Sequence, residues 1–190
     1  MISVSFPRDI KSVFDVVVKD QNGQWERWYV RVSEFKYNPK QPYEEIIVQT
    51  EDTVATTTML DILNKAKANI LVTGTIGTGK TIVGNNFLHI STVQDKSLIF
   101  QIKFSAQSKA KGIQEVLEGR LAHRRSKQIG PPVGIQGIVF IDDMKTPTPE
   151  IYFAQPPFGL IRQCDTQFGV YDHKKLTFIH LTGTVFVAAQ

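Results

Sequence analysis

Residues 68–85 read ANILVTGTIGTGKTIVGN, and this stretch decides the fold. Within it, residues 74–81 satisfy the pattern G-x-x-x-x-G-K-[ST] of a phosphate-binding loop. The apolar run 70–72 before the loop predicts a strand of the buried type, and residues 81–90 after it can continue as a helix. Strand, loop and helix in this order are the context that the motif requires. The alternative, a turn that only connects two elements, leaves the Lys-Thr pair unexplained.

The predicted loop offers three kinds of phosphate ligand. Its glycines let backbone N–H groups turn inward around a polyphosphate, and the N-terminus of the following helix adds partial positive charge. Lys80 is expected to reach the β- and γ-phosphates, and the hydroxyl of Thr81 to hold Mg²⁺. The predicted nucleotide-binding residues are Gly74, Thr75, Ile76, Gly77, Thr78, Gly79, Lys80, Thr81 and Ile82.

Size and composition are those of an ordinary globular protein. The 190 residues suffice for one well-packed domain, with 42% hydrophobic and 21% charged residues. No run approaches the roughly 18 apolar residues of a membrane span, and the N-terminus lacks the layout of a secretory signal. The single cysteine, Cys164, cannot form an internal disulfide, which favours a reducing cytosolic or nuclear compartment.

The net charge of +4 raises nucleic acid as a partner. The densest basic stretch lies within residues 109–127, and it lacks the interleaved aromatic residues that single-strand-binding proteins use for stacking. We therefore interpret it as a solvated helix face and consider nucleic acid a poor candidate. The alternative is a phosphate-contacting or protein-docking surface.

Residues 1–45 predict a hairpin and a linker ahead of a nucleotide-binding core at residues 46–190. Two β-prone runs within residues 12–32 flank Asn22-Gly23, a strong hairpin signal, and a proline-broken linker follows. The aromatic residues expected to pack the hairpin are Trp25, Trp28 and Tyr29.

Three further segments have helical or strand patterns. Residues 45–48 predict a short strand, and Asp52 or Thr53 can cap the helix that follows. The apolar stripe expected on that helix is Met59, Leu60, Leu63 and Ala66. Residues 97–104 predict a strand, with Ile99 on one face and Leu98, Phe100 and Ile102 on the other.

The chain after this strand predicts a helix and then a loop. The helix is expected over residues 109–125, and the loop over residues 129–137, where Gly130-Pro131-Pro132 prevents helix. The apolar stripe of the helix is expected to be Ile113, Val116, Leu117 and Leu121.

A third strand, residues 137–143, carries the second site signal. Its four apolar residues 138–141 predict burial on both faces, as in a parallel sheet. Asp142 emerges at the carboxyl end, where α/β sheets place their ligands, and it can position Mg²⁺ together with Thr81. The alternative is an aspartate that caps a turn.

Asp143 is the candidate catalytic residue. Many ATPases of this architecture have Glu at this position, where it orients or deprotonates the attacking water. Asp is shorter by one C–C bond, roughly 1.5 Å, and a misplacement near 1 Å can cost about 10²-fold in rate. Binding is therefore a safer prediction than rapid hydrolysis.

The C-terminal part predicts one more helix, over residues 158–168, and a buried strand over residues 185–189. The whole pattern is that of an α/β P-loop nucleoside triphosphatase, with a parallel sheet flanked by helices and an N-terminal hairpin and linker; that it is the large subdomain of an AAA+ module is what the following resemblance implies.

The motifs LVTGTIGTGKT, KFSAQS, GPPVG, VFIDDMKTP, AQPPFGLIRQ and YDHKK occur in an order that strongly resembles the third AAA+ module of dynein heavy chains. VFIDDM followed by AQPPFGLIRQ separates this module from the other dynein modules. The resemblance implies an ATP- and Mg²⁺-binding module of a microtubule motor, regulatory rather than the main site of hydrolysis. Its implied partners are the neighbouring AAA+ modules and, through the parent protein, dynein intermediate and light chains and microtubules. The implied location is the cytoplasm and cytoskeleton, with the axoneme of a cilium or flagellum as an alternative.

The sequence also departs from that family. Thr75 replaces the usual proline, Lys145 stands where Asn is common, and Gly159 where Glu is common. The chain stops at VFVAAQ, where the family continues into a sensor residue, a fifth strand beside the phosphate-loop strand, and a helical lid. The resemblance therefore implies a truncated module, without an assignable arginine finger and with weak or absent turnover.

Other functions remain open at this point. A GTP-hydrolysing switch requires an Asn-Lys-x-Asp segment after the third strand, which is absent from the sequence. The alternatives kept are a nucleic-acid translocase or helicase of the P-loop type and a nucleotide-independent structural module.

Overall fold

The computed structural model describes residue 10 and residues 12–19, 23–35, 37, 39, 46–125 and 127–190, with only the backbone of 94, 95 and 125. Two compact units share the chain, Met1–Met59 and Leu60–Gln190. The predicted boundary between residues 45 and 46 remains a prediction, and most of the predicted linker, at 36, 38 and 40–45, lies outside the described residues.

The first unit contains the predicted hairpin. Strand β1 (Val16–Val18) pairs antiparallel with β2 (Trp25–Arg27), and Gly23 has a φ of +66° between them. This left-handed conformation explains the glycine at the turn. A 3-10 helix, Trp28–Arg31, follows β2. The predicted strand at 45–48 is wrong for its described residues 46–48, which are irregular.

Only part of the predicted aromatic packing of the hairpin forms. Trp28 is buried, and its indole Nε1 donates a hydrogen bond to the carbonyl of Phe14 at 2.9 Å. Trp25 is half-buried. Tyr29 is 57% exposed, so its predicted packing role is wrong.

Helix α1 (Glu51–Lys65) begins one position before the predicted caps. Thr50 Oγ1 accepts from the backbone N–H of Thr53, and Thr53 Oγ1 accepts from that of Thr50, so this reciprocal pair replaces Asp52 or Thr53 as the cap. The predicted stripe is also largely wrong. Leu60 and Asn64 are buried, whereas Met59 and Leu63 are exposed.

A four-stranded parallel sheet forms the centre of the second unit, and its strands are β3 (Ile70–Val72), β4 (Leu98–Lys103), β7 (Gly137–Asp142) and β10 (Thr184–Ala189). Their order across the sheet is β3-β10-β7-β4. Helices α2 (Lys80–Asp95), α3 (Ala110–Arg120) and α4 (Pro156–Thr166) connect or flank them. The predicted α/β class, with helices around a parallel sheet, is confirmed.

Alternation along β7 divides the core into two layers. Ile138 and Phe140 pack with Val83 and Phe87 of α2 on one face of the sheet. The other face packs against α3, α4 and a second sheet, through Val139 and Ile141 among others. Every residue of β7 is buried, as predicted for a strand covered on both faces.

Strand β3 differs from its prediction, because it is not fully buried. Leu71 is 53% exposed, and among the described strands β3 pairs only with β10. An apolar run of three residues does not distinguish a central strand from an edge strand, since β-branched and large apolar side chains are common in both.

The largest correction concerns residues 121–130. Helix α3 ends at Arg120, and the chain then forms β5 (Ala122–Arg125) and β6 (Gln128–Gly130), which were predicted as helix and loop. They join β9 (Phe178–Leu181) and β8 (Gly169–Tyr171) in a second sheet of order β5-β6-β9-β8. Pairing with a strand some fifty residues later overrides the local helical pattern.

The buried face of α3 also differs from the predicted stripe. Val116 is 45% exposed, whereas Gln114 is only 3% exposed. The amide of Gln114 donates to the carbonyl of Tyr171 at 2.6 Å and to Glu118 Oε1 at 2.7 Å. A polar residue can occupy this buried position because its donors find partners.

Candidate functional site

The predicted phosphate loop connects β3 to α2. Gly77 and Gly79 have φ values of +83° and +78°, which strain residues with a Cβ, so two of the motif glycines are required by backbone conformation. A Cβ on Gly74 would lie 3.2 Å from Thr78 Oγ1. Helix α2 starts at Lys80, directly after the loop, and its first N–H groups lack partners within the helix.

The side chain of Lys80 lies against its own loop. Its Nζ donates to the carbonyl of Gly74 at 2.9 Å and to that of Thr75 at 2.7 Å. The ammonium group is therefore held in the curve of the loop, beside the positions from which a polyphosphate would be bound.

Close packing of α2 on the sheet brings Thr81 to Asp142. A Cβ on Gly84 would lie 2.5 Å from the ring of Phe140 in β7, so only glycine permits this approach. As a result, Thr81 Oγ1 lies 3.0 Å from Asp142 Oδ1, to which it donates a hydrogen bond. The sequence predicted that these two residues share a site, and the structure places them in direct contact.

The two aspartates at the end of β7 have different environments. Asp142 is 3% exposed, and its Oδ1 also accepts from the N–H of Asp143 at 3.1 Å. Asp143 is exposed, with a φ of +54°, and its Oδ2 lies 3.9 Å from Lys103 Nζ. Asp143 lines a cavity beside the phosphate loop. Asp142 does not line this cavity itself, but it is hydrogen-bonded to Thr81, which does.

These residues surround a cavity of about 1050 Å³. All nine predicted nucleotide-binding residues line it, together with Asp143. Its remaining lining residues were not predicted as ligands, and they are Thr73, Lys145, Thr146 and Gln190.

Backbone hydrogen bonds join the three strand ends that carry the cavity. Gln190 N donates to Val72 O at 2.9 Å, and Met144 N donates to Ala189 O at 2.9 Å. Strand β10 therefore lies between the loop strand and the Asp142 strand. Gln190 follows β10 directly, so the rule that ligands gather at carboxyl strand ends could have identified it. Lys103 ends strand β4 and is paired in register with Asp142, so the same rule could have indicated that Lys103 lies near the site.

A second cavity, of about 780 Å³, contains none of the predicted site residues. It lies along β3 and α4, and its walls are mostly apolar, with Ile70, Phe158 and Phe186 among them. Its described lining residues include no serine or threonine, whereas the first cavity is lined by Thr81, which is hydrogen-bonded to Asp142.

The first cavity fits a nucleoside phosphate with Mg²⁺ by its donor set. A threonine hydroxyl and a carboxylate 3.0 Å apart are hard oxygen ligands. Among the described residues no group of three or more His, Cys, Asp or Glu side chains could hold a metal ion alone. Mg²⁺ commonly binds through one or two protein oxygens, with phosphates and water completing its shell, so the two residues suffice. The ligand roles of these residues remain predictions.

Residues 35–190 match the family described as the P-loop containing dynein motor region. Similar proteins include "Dynein axonemal heavy chain 3" of Homo sapiens, 32% identical over 182 residues, which are 94% of this chain and 4% of that protein. "Dynein axonemal heavy chain 12" of Mus musculus is 33% identical over 174 residues, 89% of this chain and 6% of that protein. "Dynein axonemal heavy chain 1" of Homo sapiens is 37% identical over 167 residues, 87% of this chain and 4% of that protein.

The chain thus spans only 4% to 6% of the length of these relatives. Across the described residues, no helix combines the length and apolar character that crossing a bilayer demands. The family match covers the loop, the Asp142 strand and both sheets of the second unit, so the fold, the loop geometry and the comparison agree. The chain belongs to the family of P-loop containing dynein motor regions.

Proposed function

We propose that the chain is an ATP- and Mg²⁺-binding AAA+ module of a dynein heavy chain, the third in its ring. Its nucleotide state would regulate a ring whose main hydrolysis takes place in another module. One observation carries the binding proposal. The Thr81 hydroxyl lies 3.0 Å from the Asp142 carboxylate beside the phosphate loop, as a metal clamp next to a triphosphate requires.

Three features support binding with slow turnover. The carboxylate of Asp143 extends less far than that of glutamate, and its ion-pair partner is Lys103, 3.9 Å away. The described residues that line the cavity include no arginine. An arginine finger is worth about 10³–10⁵ in rate, so its supply from elsewhere would decide turnover.

The relatives' names extend the proposal to location and partners. Because they are axonemal heavy chains, we place the chain in a ciliary or flagellar axoneme rather than in a cytoplasmic motor. There it would contact neighbouring AAA+ modules, and reach intermediate chains, light chains and microtubules through the rest of the heavy chain.

Equilibrium binding tests the proposal. Isothermal titration of the 190-residue chain with ATP, with and without Mg²⁺, should show Mg²⁺-dependent binding that Lys80→Ala abolishes. The matched control is Lys127→Ala, an exposed lysine outside the cavity. At 100 times Kd, ATP should add about 2.7 kcal/mol to the free energy of unfolding.

Other results would favour other functions. Phosphate release above about 1 s⁻¹, the low end for typical enzymes, would contradict the regulatory proposal. Strongly salt-dependent binding to single-stranded DNA would favour a translocase. Absence of both nucleotide and DNA binding would favour a structural module.

A further inference from the structure

Lys145 is the second ammonium group of the nucleotide cavity. Lys80 belongs to the phosphate loop, whereas Lys145 belongs to the turn after β7 and lines the cavity from there. Cations from two separate segments therefore border one space. A polyphosphate bound by the loop would have Lys145 as an additional neighbour.

The turn that carries Lys145 is fixed by hydrogen bonds on both sides. Thr146 N donates to Asp143 O at 3.0 Å, and Met144 N donates to Ala189 O at 2.9 Å. Beyond the turn, the carbonyl of the buried Pro147 accepts from Gln155 Nε2 at 2.8 Å. The backbone of Lys145 is thereby positioned before any ligand arrives, which lowers the entropic cost of using its side chain.

The acidic side chains next to Lys145 have other partners, so its ammonium group is available to a ligand. Asp143 has Lys103 as an ion-pair partner, and Asp142 accepts from Thr81. Lys145 itself is exposed and forms no hydrogen bond or ion pair with any side chain in the described part of the chain. The cavity therefore has an ammonium group that forms no ion pair with a carboxylate in the described part of the chain.

The position of Lys145 relative to Asp142 determines which phosphate it meets. In P-loop proteins the metal bridges the β- and γ-phosphates. Thr81, which is hydrogen-bonded to Asp142, lines the cavity, and so do Asp143 and Lys145 of the turn that follows Asp142. Asp143 is the candidate for orienting the attacking water, and that water attacks the γ-phosphate, so a nucleotide bound in this way would present its terminal phosphate to the turn that carries Lys145.

We infer that Lys145 binds the γ-phosphate of the nucleotide and makes this site prefer a nucleoside triphosphate to a diphosphate. This inference rests on the proposed nucleotide-binding function. A triphosphate carries one more phosphoryl group and more negative charge than a diphosphate, so a cation at the γ-position strengthens only triphosphate binding. Lys145 would thus be a specificity-determining residue, which ties the state of the module to the presence of the γ-phosphate.

Titration calorimetry of wild-type chain, Lys145→Ala, Lys145→Gln and Lys145→Arg with Mg²⁺-ATP and Mg²⁺-ADP tests the inference. Lys145→Ala and Lys145→Gln should weaken ATP binding about tenfold and change ADP binding by less than about threefold. Lys145→Arg should retain the wild-type ratio of the two dissociation constants, because it retains the charge. Lys127→Ala serves as the charge control and should also leave that ratio unchanged.

The outcomes separate the inference from the proposed function. If the wild-type chain binds both nucleotides and Lys145→Ala and Lys145→Gln keep the wild-type ratio, the inference is wrong and the proposed function stands. An equal loss of preference in Lys127→Ala would assign the effect to overall charge and overturn the inference as well. Failure of the wild-type chain to bind either nucleotide would overturn both.

Discussion

Replacing Gly84 by alanine tests how α2 is positioned over the sheet. Two effects of opposite sign compete. Alanine is a better helix former than glycine by about 1 kcal/mol, which would stabilise α2. The new Cβ would however lie 2.5 and 2.6 Å from two ring carbons of Phe140, and contacts under 3.0 Å require something to move.

The second effect should win. Phe140 is 1% exposed and lies in β7, one of the two inner strands, so its ring is enclosed by other core side chains and can move only by displacing them. Overpacking a core costs about 1–3 kcal/mol, and two contacts this short with a buried ring place this case near the upper limit. After subtraction of the helix-propensity gain, Gly84→Ala should lower the free energy of unfolding by about 2 kcal/mol. The displacement of α2 should also weaken Mg²⁺-dependent ATP binding, because it separates Thr81 from Asp142.

Gly159→Ala is the matched control. Gly159 lies in α4, and a Cβ there would meet no atom within 4 Å. This substitution should therefore raise the free energy of unfolding by about 0.5–1 kcal/mol. The two glycine-to-alanine changes are expected to have opposite signs.

Urea unfolding followed by far-ultraviolet circular dichroism is the appropriate assay. Circular dichroism follows the helices directly, whereas both tryptophans, Trp25 and Trp28, belong to the first unit. With a slope of about 2 kcal/mol/M, the midpoint of Gly84→Ala should fall by about 1 M. A variant as stable as the wild type, or more stable, would refute the packing argument. Phe140→Leu should restore part of the lost stability in the double variant, as expected of directly coupled residues.

Three further predictions concern single side chains. Asp142→Asn should abolish the strengthening of ATP binding by Mg²⁺, measured by titration calorimetry, because the amide can still accept from Thr81 but lacks the charge that holds the metal; a retained Mg²⁺ effect would contradict the assignment. Lys103→Ala should change the free energy of unfolding by less than about 1 kcal/mol, because its 3.9 Å pair with Asp143 is exposed on both sides; a larger loss in urea unfolding would count against this. Burial raises the pKa of Cys164 from 9.0 to about 12, so iodoacetamide at pH 8 should label the native chain slowly and the unfolded chain fast. Because the pKa is higher in the folded chain, the contribution of this thiol to the free energy of unfolding is complete below the unfolded pKa and is lost as the pH rises toward 12.

Local chemistry explains what the sequence predicted correctly. The phosphate loop, the helix after it and the strand that ends at Asp142 each depend on residues adjacent in the chain. Glycines with positive φ, an apolar run and a carboxylate at its end are visible in such short segments. The strand β10 was predicted on the same basis, from the apolar run at residues 185–189.

Other predictions failed where the structure or burial of a residue depends on a partner that lies far away in the chain. Residues 122–125 and 128–130 form strands because β5 pairs with β6 and β6 pairs with β9, and no pattern near residue 122 shows that partner. Asn64 and Gln114 are buried although polar, because Asn64 Oδ1 accepts from Gln136 at 2.9 Å and Gln114 donates to Tyr171 O. Periodicity counts apolar residues, so it assigned the exposed Leu63 and Val116 to the core in their place.

The sequence by itself determined that a phosphate loop follows one strand and that an aspartate ends another, because both are properties of contiguous residues. That the two segments share a site was also predicted from the sequence, but only the tertiary structure decided how they meet, with Thr81 in direct contact with Asp142. The contact between Thr81 and Asp142 requires β10 to lie between the two strands and α2 to pack on Phe140 at Gly84. The place of Lys145 in the cavity likewise depends on a turn held by Ala189. Such contacts arise from strand order and close packing, which join residues far apart in the chain.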